Sequence, residues 1–220
     1  MKDILIVGGG FAGVWAAASA VRVARQAGRA GEELRVRLIS DRDDMVVRPR
    51  LYERDPAAMR IPLGSLLDPI GVSRMTAAVD TIDTAERTVV ARDREGLRTA
   101  RFDRLVLAAG SRLIRPDLPG AEHMFDIDTL ESAVALDDHL RRLPGLPSSP
   151  ARYTAVVVGA GFTGLEIATE LVGRLRDVGG GDDVRVVLVE RAGVVGPELG
   201  DAPRPYLVKA LDELGVEQRL

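Results

Sequence analysis

The sequence of 220 residues contains no cysteine and only two histidines, His123 and His139. Without cysteine, these residues supply neither a redox-active disulfide nor the thiolate ligands of zinc and iron–sulfur sites. His139 lies in the charged stretch LDDHLRRL, which is typical of a solvated helix surface, and two histidines alone do not make a metal cluster. We therefore predict no metal site and no chemistry that passes through a thiol of these residues.

The sequence also lacks long apolar runs and an excess of charge of one sign. Its apolar segments are strand-sized, and the net charge of −3 comes from 30 basic and 33 acidic residues. This pattern predicts no transmembrane helix, no signal peptide and no nucleic-acid partner. Apolar residues make up 46% of the chain, which is typical of a globular protein with a buried core. The expected location is the cytoplasm.

One pattern of residues occurs twice in the chain. The stretches ILIVGGGFAGVWA and AVVVGAGFTGLEIAT each join a short apolar run to G-x-G-x-x-G and then to a helix-compatible stretch. The glycines are Gly8, Gly10 and Gly13 in the first copy, and Gly159, Gly161 and Gly164 in the second. In this motif the first glycine makes a tight turn, the second lets the backbone approach a pyrophosphate, and the third packs helix against strand. A second apolar strand follows each copy at the same distance to within one residue. Two copies therefore predict two dinucleotides.

The pattern along the chain predicts an α/β, three-layer fold with two Rossmann-like dinucleotide-binding domains. Residues 1–145 form the first domain, which carries a small antiparallel β insertion between Ala77 and Phe102. Residues 144–150, PGLPSSP, have the composition of a linker, and residues 151–220 form the second domain. The chain ends at GVEQRL, where a further strand is expected to begin, and a doubly wound domain needs at least three parallel strands. We therefore expect the second domain to be truncated.

Four segments carry a resemblance to a known family. They are GGGFAG near the N-terminus, RPRLYE at 48–53, FDRLVLAAGS at 102–111 followed by LPG at 118–120, and VVVGAGFTGLEIATEL at 156–171. With these segments the whole chain resembles the pyridine nucleotide-disulphide oxidoreductase superfamily of flavoproteins. The greatest likeness is to type II NADH dehydrogenases and ferroptosis-suppressor-like flavoproteins. The resemblance implies that the first glycine motif binds FAD and that the second binds NAD(P)H.

The resemblance implies a set of FAD contacts. Ser40 stands where most family members have Asp or Glu, and its hydroxyl is a weaker acceptor for a ribose than a carboxylate. Arg48 with Pro49 resembles an arginine-proline pair that lies along FAD, and the planar fork of an arginine suits a pyrophosphate. The predicted FAD-binding residues are Gly8, Gly10, Phe11, Ala12, Gly13, Ser40, Arg48, Pro49, Val79, Ala109 and Gly110.

The second cofactor is predicted to be NADH rather than NADPH. Glu190 ends the second strand of its motif. A carboxylate at this position accepts hydrogen bonds from the ribose hydroxyls and repels a 2′-phosphate. Arg191 beside it is basic, so NADPH stays open as an alternative cofactor. The resemblance places Glu166, the candidate catalytic residue, at the junction of nicotinamide, flavin and quinone pocket. A carboxylate in the first turns of a helix is also stabilised by the helix dipole, so a purely structural role stays open. The predicted NADH-binding residues are Gly159, Gly161, Phe162, Thr163, Gly164 and Glu190.

These features predict an FAD-dependent NADH:acceptor oxidoreductase. Hydride is expected to pass from NADH to FAD and the electrons then to a small-molecule acceptor, a quinone in our interpretation, without a redox-active disulfide. The alternatives are a reductase for a ferredoxin or another protein acceptor, and a non-catalytic nucleotide-binding fragment. If the acceptor is a quinone, a peripheral contact between the protein and the inner face of the cell membrane stays open. A C-terminal part that is absent from this sequence would make that contact. The sequence does not indicate an oligomeric state.

Overall fold

The structure, a computed structural model, describes residues 1–28, 34–115 and 117–220. Within these ranges the chain forms two compact units, each of which contains a parallel β-sheet. The first unit comprises residues 1–47 and 60–114, and the second comprises residues 48–59 and 115–220. The predicted α/β class with two Rossmann-like sheets is confirmed.

The first unit has a four-stranded parallel sheet at its centre. In chain order the elements of this unit are β1 (Lys2–Val7), α1 (Phe11–Gln26), β2 (Leu34–Ser40), β3 (Asp44–Val46), β4 (Arg60–Pro62), α2 (Leu63–Leu67), β5 (Ser73–Thr76), β6 (Ala78–Asp83), β7 (Thr88–Asp93), β8 (Gly96–Arg101) and β9 (Arg104–Leu107). The strand order of the parallel sheet is β5-β2-β1-β9. Strands β3 and β4 form a separate antiparallel pair.

Three layers form the first unit because both faces of β1 and β2 are apolar. On one face, Ile6 and Leu38 pack with Ala17 of helix α1. On the other face, Leu5 and Ile39 pack in a cluster with side chains of strands β7 and β8. Strands β6, β7 and β8 form a three-stranded antiparallel sheet, as the alternating pattern between residues 77 and 102 predicts. The inserted sheet therefore takes the place that a second layer of helices has in a doubly wound fold.

The second unit has a three-stranded parallel sheet. In chain order its strands, its α-helices and the two 3-10 turns of its first segment are a 3-10 turn (Arg48–Arg50), a second 3-10 turn (Pro56–Met59), α3 (Leu130–Arg142), β10 (Thr154–Val158), α4 (Phe162–Leu175), β11 (Arg185–Val189), α5 (Arg204–Leu214) and β12 (Glu217–Arg219). The strand order is β10-β11-β12. The terminal GVEQRL therefore supplies a third parallel strand, which pairs with β11.

Strand β10 is an edge strand of this sheet, and part of its apolar surface is open. Val156 and Val158 are 61% and 55% exposed, whereas Val157 between them is buried in the core with residues of α4. In the first unit the corresponding strand, β1, is covered at that edge by β9. The expectation that the second domain is truncated stays a prediction.

Helix α3 belongs to the second unit, together with the linker-like residues 144–150. Its residue Leu140 is buried with Leu143 in the same apolar cluster as Tyr153 and Val157. The compact units therefore divide after residue 114, because the apolar face of α3 is part of the core of the second unit. The functional boundaries at 1–145 and 151–220 stay a prediction.

The helices of both units are short. Helix α1 spans 16 residues and α4 spans 14, whereas a membrane-crossing helix needs about 20 apolar residues. In the parts of the chain that the structure describes, no helix is long and apolar enough to cross a membrane.

Candidate functional site

The first glycine turn lies where β1 ends and α1 begins, at the carboxyl edge of the parallel sheet. Gly8 has a φ of +111°, a conformation that side chains rarely adopt, and its N–H donates to the carbonyl of Ile39 at 2.8 Å. A Cβ atom on Gly8 would overlap the carbonyl oxygen of Ala108, and one on Gly13 would overlap the carbonyl oxygen of Gly8. The first and third glycines are therefore required by the local backbone, before any ligand is considered.

Gly10 differs from these two glycines because the space around it is open. Its backbone is extended (φ −79°, ψ −173°), and no described atom outside the local chain lies within 4 Å of a Cβ placed there. Gly10 is also the N-cap of α1, and a glycine has no side chain to accept from the N–H groups of the first turn. The open space and the positive end of the helix dipole fit the pyrophosphate of a dinucleotide.

The second glycine turn, between β10 and α4, repeats this geometry. Gly159 has a φ of +100° and its N–H donates to the carbonyl of Val189 at 2.8 Å. A Cβ atom on Gly164 would overlap the carbonyl oxygen of Gly159, whereas around Gly161 no described atom outside the local chain lies within 4 Å of the Cβ position. Gly161 is the N-cap of α4. The second unit therefore has its own space for a pyrophosphate.

The two units differ in the residue that ends the second strand. Ser40 is 7% exposed at the end of β2, and its Oγ lies 2.7 Å from the Cβ position of Gly9. The same oxygen accepts from the N–H of Arg42 at 3.3 Å. Ser40 thus packs against the first glycine turn as a small, neutral acceptor that already has a donor.

Glu190 occupies the corresponding place after β11. Its carboxylate accepts from the N–H of Ala160 at 2.7 Å and from the N–H of Ala192 at 2.9 Å. These two hydrogen bonds, the one from Ala160 first, lower the pKa of Glu190 below its ordinary value. The carboxylate is charged at neutral pH, as an ordinary glutamate is, and because its pKa is lowered in the folded protein the charge is lost only at a more acidic pH. The second glycine turn therefore lies beside a fixed negative charge.

Most of the other predicted FAD contacts also lie in the first unit. The N–H of Ala77 donates to the carbonyl of Ser40 at 2.7 Å, which brings Val79 on β6 within two residues of the end of β2. Ala109 and Gly110 are exposed and follow β9, directly after the Ala108 carbonyl that contacts Gly8. Phe11 and Ala12 begin α1 and are exposed. These positions share one edge of the first unit, and their roles stay predictions.

Arg48 and Pro49, by contrast, belong to the second unit. They lie in a 3-10 turn, where Arg48 forms an ion pair with Asp128. This ion pair orients the Arg48 side chain within its own unit. Its predicted contact with FAD stays a prediction.

Glu166 lies at the fifth position of α4 and is partly buried. The hydroxyl of Thr169 donates to the carbonyls of Leu165 and Glu166, each at 3.0 Å. Tyr52 is a neighbour that sequence analysis did not single out. Its pKa is raised, first by burial and then by the negative charge of Glu166. The Tyr52 phenol therefore lies within the electrostatic field of the candidate catalytic carboxylate.

Sequence analysis also missed Arg174, which donates to the backbone carbonyl of Tyr52 at 3.2 Å. The signal was present in the helical periodicity of α4, because Arg174 falls between the buried residues Leu171 and Leu175. A charged residue at a position that the helical periodicity places in the core indicates that its side chain has a specific polar partner.

The fold and the two glycine turns define a protein with two dinucleotide-binding units. Residues 2–220 match the pyridine nucleotide-disulphide oxidoreductase family, and the chain belongs to this family. The predicted oxidoreductase class and the predicted cofactors, FAD and NADH, are confirmed by membership of this family. The disulphide of the family name has no counterpart in these 220 residues, which contain no cysteine.

Curated relatives are similar to this chain along most of its length. An NADH dehydrogenase-like protein of Mycobacterium tuberculosis is 43% identical over 223 residues, which cover 100% of this chain and 55% of that protein. A demethylphylloquinone reductase of Synechocystis is 31% identical over 195 residues, which cover 86% of this chain and 46% of that protein. The chain thus spans about half the length of these relatives.

Solved structures show the same fold. The NDH2 protein of Plasmodium falciparum in complex with NADH superimposes with a TM-score of 0.79 at 15% identity, over 99% of this chain and 47% of that one. The sulfide:quinone oxidoreductase of Aquifex aeolicus superimposes with a TM-score of 0.79 at 23% identity, over 99% of this chain and 50% of that one. At these identities the likeness extends to the fold alone.

Proposed function

We propose that this chain is part of an FAD-dependent NADH:quinone oxidoreductase, in which the first unit binds FAD and the second binds NADH. The observation that carries the proposal is the duplicated glycine turn, with open space at Gly10 and at Gly161 and a charged carboxylate, Glu190, at the second turn alone. The names of the relatives, NADH dehydrogenase-like protein and demethylphylloquinone reductase, support the donor and the acceptor. Bound FAD would supply the chemistry that accepts a hydride and releases two electrons.

In this proposal the protein binds and orients the reactants. The N-termini of α1 and α4 bind the two pyrophosphates through backbone N–H groups, and Glu190 accepts from the ribose hydroxyls of NADH. Glu166 is proposed to lie where NADH, FAD and the acceptor meet. Because these residues include no thiol, they offer no relay between the flavin and the acceptor.

Anaerobic stopped-flow absorbance tests the proposal. NADH is expected to bleach the flavin spectrum of the purified protein, and a soluble quinone is expected to restore it. If quinones fail and a ferredoxin restores the spectrum, the alternative with a protein acceptor replaces the proposal. A protein that binds FAD and NADH but transfers no electrons from NADH to the flavin would support the alternative of a non-catalytic nucleotide-binding fragment. The cytoplasmic location stays a prediction, and the peripheral contact with the inner face of the cell membrane stays open.

Glu166→Gln is expected to keep the fold and the bound FAD and to slow flavin reduction or reoxidation by roughly tenfold or more, as removal of a positioned acid or base does. The loss of a surface carboxylate in the first turns of a helix would instead cost only about 0.3–1 kcal/mol of stability. Stopped-flow traces measured beside thermal melts separate the two results. Traces equal to those of the unaltered protein would leave Glu166 with a structural role only.

Ser40→Ala is expected to weaken FAD binding by less than roughly tenfold, because a neutral hydrogen bond contributes about 0.5–1.5 kcal/mol. The N–H of Arg42, which lies outside the first glycine turn, donates to the Oγ of Ser40, so we expect the substitution to leave that turn in place. Fluorescence titration of the apoprotein with FAD measures the change. A loss of a hundredfold would instead make Ser40 a principal ribose contact.

A further inference from the structure

The second unit contains a buried ion pair that the proposed reaction does not use. The Arg174 side chain is 4% exposed and donates to Asp137 on α3 at 2.5 Å. Asp137 also accepts from Arg141 at 2.8 Å, so both of its oxygens have donors. The second terminal nitrogen of Arg174 donates to the backbone carbonyl of Tyr52 at 3.2 Å. Arg174 thus joins α3, α4 and the segment 48–59 through one guanidinium group.

The segment 48–59 lies along the face of α4 that carries Glu166. Arg54 forms ion pairs with Glu170, at 3.7 Å, and with Asp177. Its guanidinium also lies 3.8 Å from the Cβ position of Gly173. Glu166, Glu170 and Gly173 are spaced by four and three residues, so they share one stripe of the helix. The residues that follow Tyr52 therefore pack on the stripe that begins at Glu166.

A contribution to the stability of the fold does not by itself explain why this buried ion pair is present. Burial lowers the pKa of Arg174, which reflects the cost of removing its charge from water. Replacement of a buried ion pair by apolar residues of similar volume is often neutral or stabilising. An apolar side chain, however, cannot donate a directed hydrogen bond to a carbonyl oxygen. A well-packed apolar pair at positions 137 and 174 would therefore lack the hydrogen bond to the backbone carbonyl of Tyr52.

We propose that Arg174, oriented by Asp137, is a positioning residue that holds Tyr52 and the segment 48–59 on the Glu166 face of α4. The inference rests on the proposed function, because that proposal is what gives Glu166 a part in electron transfer. Arg174 contacts the Tyr52 backbone, so it acts on the site through the placement of the Tyr52 ring and not by contact with a reactant.

The test replaces both charges at once, as Arg174→Met with Asp137→Leu, so that no unpaired charge stays buried. We expect thermal stability and FAD content close to those of the unaltered protein. Amide hydrogen exchange in the peptide that covers residues 50–59 is expected to accelerate at least tenfold, because the anchor is lost. Reoxidation of the flavin by a soluble quinone is expected to slow by about tenfold or more, as small misplacements at a reaction centre do.

The matched control removes another ion pair of the same unit, Arg185 with Glu217, which joins β11 to β12. Arg185→Met with Glu217→Leu is expected to leave both the exchange of residues 50–59 and the reoxidation rate unchanged. Should the buried double variant fail to fold, Arg174→Lys serves instead, because it keeps the charge beside Asp137 and loses the planar fork.

The outcomes distinguish the inference from the proposed function. Unchanged exchange and unchanged rates in the buried variant would overturn the inference, and so would faster exchange with an unchanged rate, because the anchor would then be structural only. If quinone fails to reoxidise the flavin of the unaltered protein, the proposed function is wrong, while hydrogen exchange still reports whether Arg174 anchors the segment.

Discussion

Gly10→Val is expected to give a folded protein that purifies with less bound FAD than the unaltered protein. The backbone of Gly10 is extended, a conformation that valine adopts readily, and no described atom outside the local chain lies within 4 Å of its Cβ position. The valine side chain would instead occupy the space proposed for the pyrophosphate. Overpacking costs about 1–3 kcal/mol even where a core relaxes, so we expect FAD affinity to fall by roughly 5- to 150-fold. The ratio of flavin to protein absorbance, with a thermal melt, measures both effects.

Gly13→Val is the matched control for this prediction. A Cβ atom at Gly13 would overlap the carbonyl oxygen of Gly8, so this variant is expected to lose the strand–turn–helix geometry and much of its stability. In that case Gly10 is required for FAD binding and Gly13 for the fold. Full FAD occupancy in the Gly10→Val protein would show that the first motif does not bind the flavin.

Glu190→Gln is expected to narrow or reverse the preference for NADH over NADPH. The carboxylate is ionised at neutral pH, and the hydrogen bonds from Ala160 and Ala192 keep its pKa below the ordinary value. A fixed negative charge at this position repels a 2′-phosphate. Glutamine removes the charge and keeps one acceptor oxygen, so one of the hydrogen bonds from Ala160 and Ala192 is lost together with the charge. We expect a change of about 1–3 kcal/mol, or roughly 5- to 150-fold in the ratio of the two reduction rates. Flavin reduction by each nucleotide, followed by stopped-flow absorbance, gives that ratio.

Glu213→Gln is a suitable control, because Glu213 is exposed on α5 and pairs with Lys209. It removes the same charge from the same unit and is expected to leave the ratio unchanged. If the unaltered protein prefers NADPH, or if both variants change the ratio equally, Glu190 does not select the nucleotide.

Local sequence patterns were sufficient for the elements that bear the glycine turns. Gly8 and Gly13 are needed because their Cβ atoms would collide with backbone a few residues away, and such short-range requirements are visible in the spacing of a motif. The alternation between residues 77 and 102 likewise predicted the antiparallel insertion, because a period of two directly reflects a sheet with two unlike faces. The roles of the individual site residues stay predictions.

The sequence alone thus determined the α/β class, the duplicated turn and the acidic residue at the second turn, since each depends on contacts between residues of one strand–turn–helix unit. Only the tertiary structure decided that α3 and the segment 48–59 pack in the second unit and that Arg174 pairs with Asp137 and Tyr52. The residue pairs Arg174–Asp137 and Arg174–Tyr52 are 37 and 122 positions apart. Contacts between such distant residues form because apolar faces of distant segments pack against one another. The local periodicity of the sequence identifies the apolar face of a helix or strand but not the segment against which that face packs.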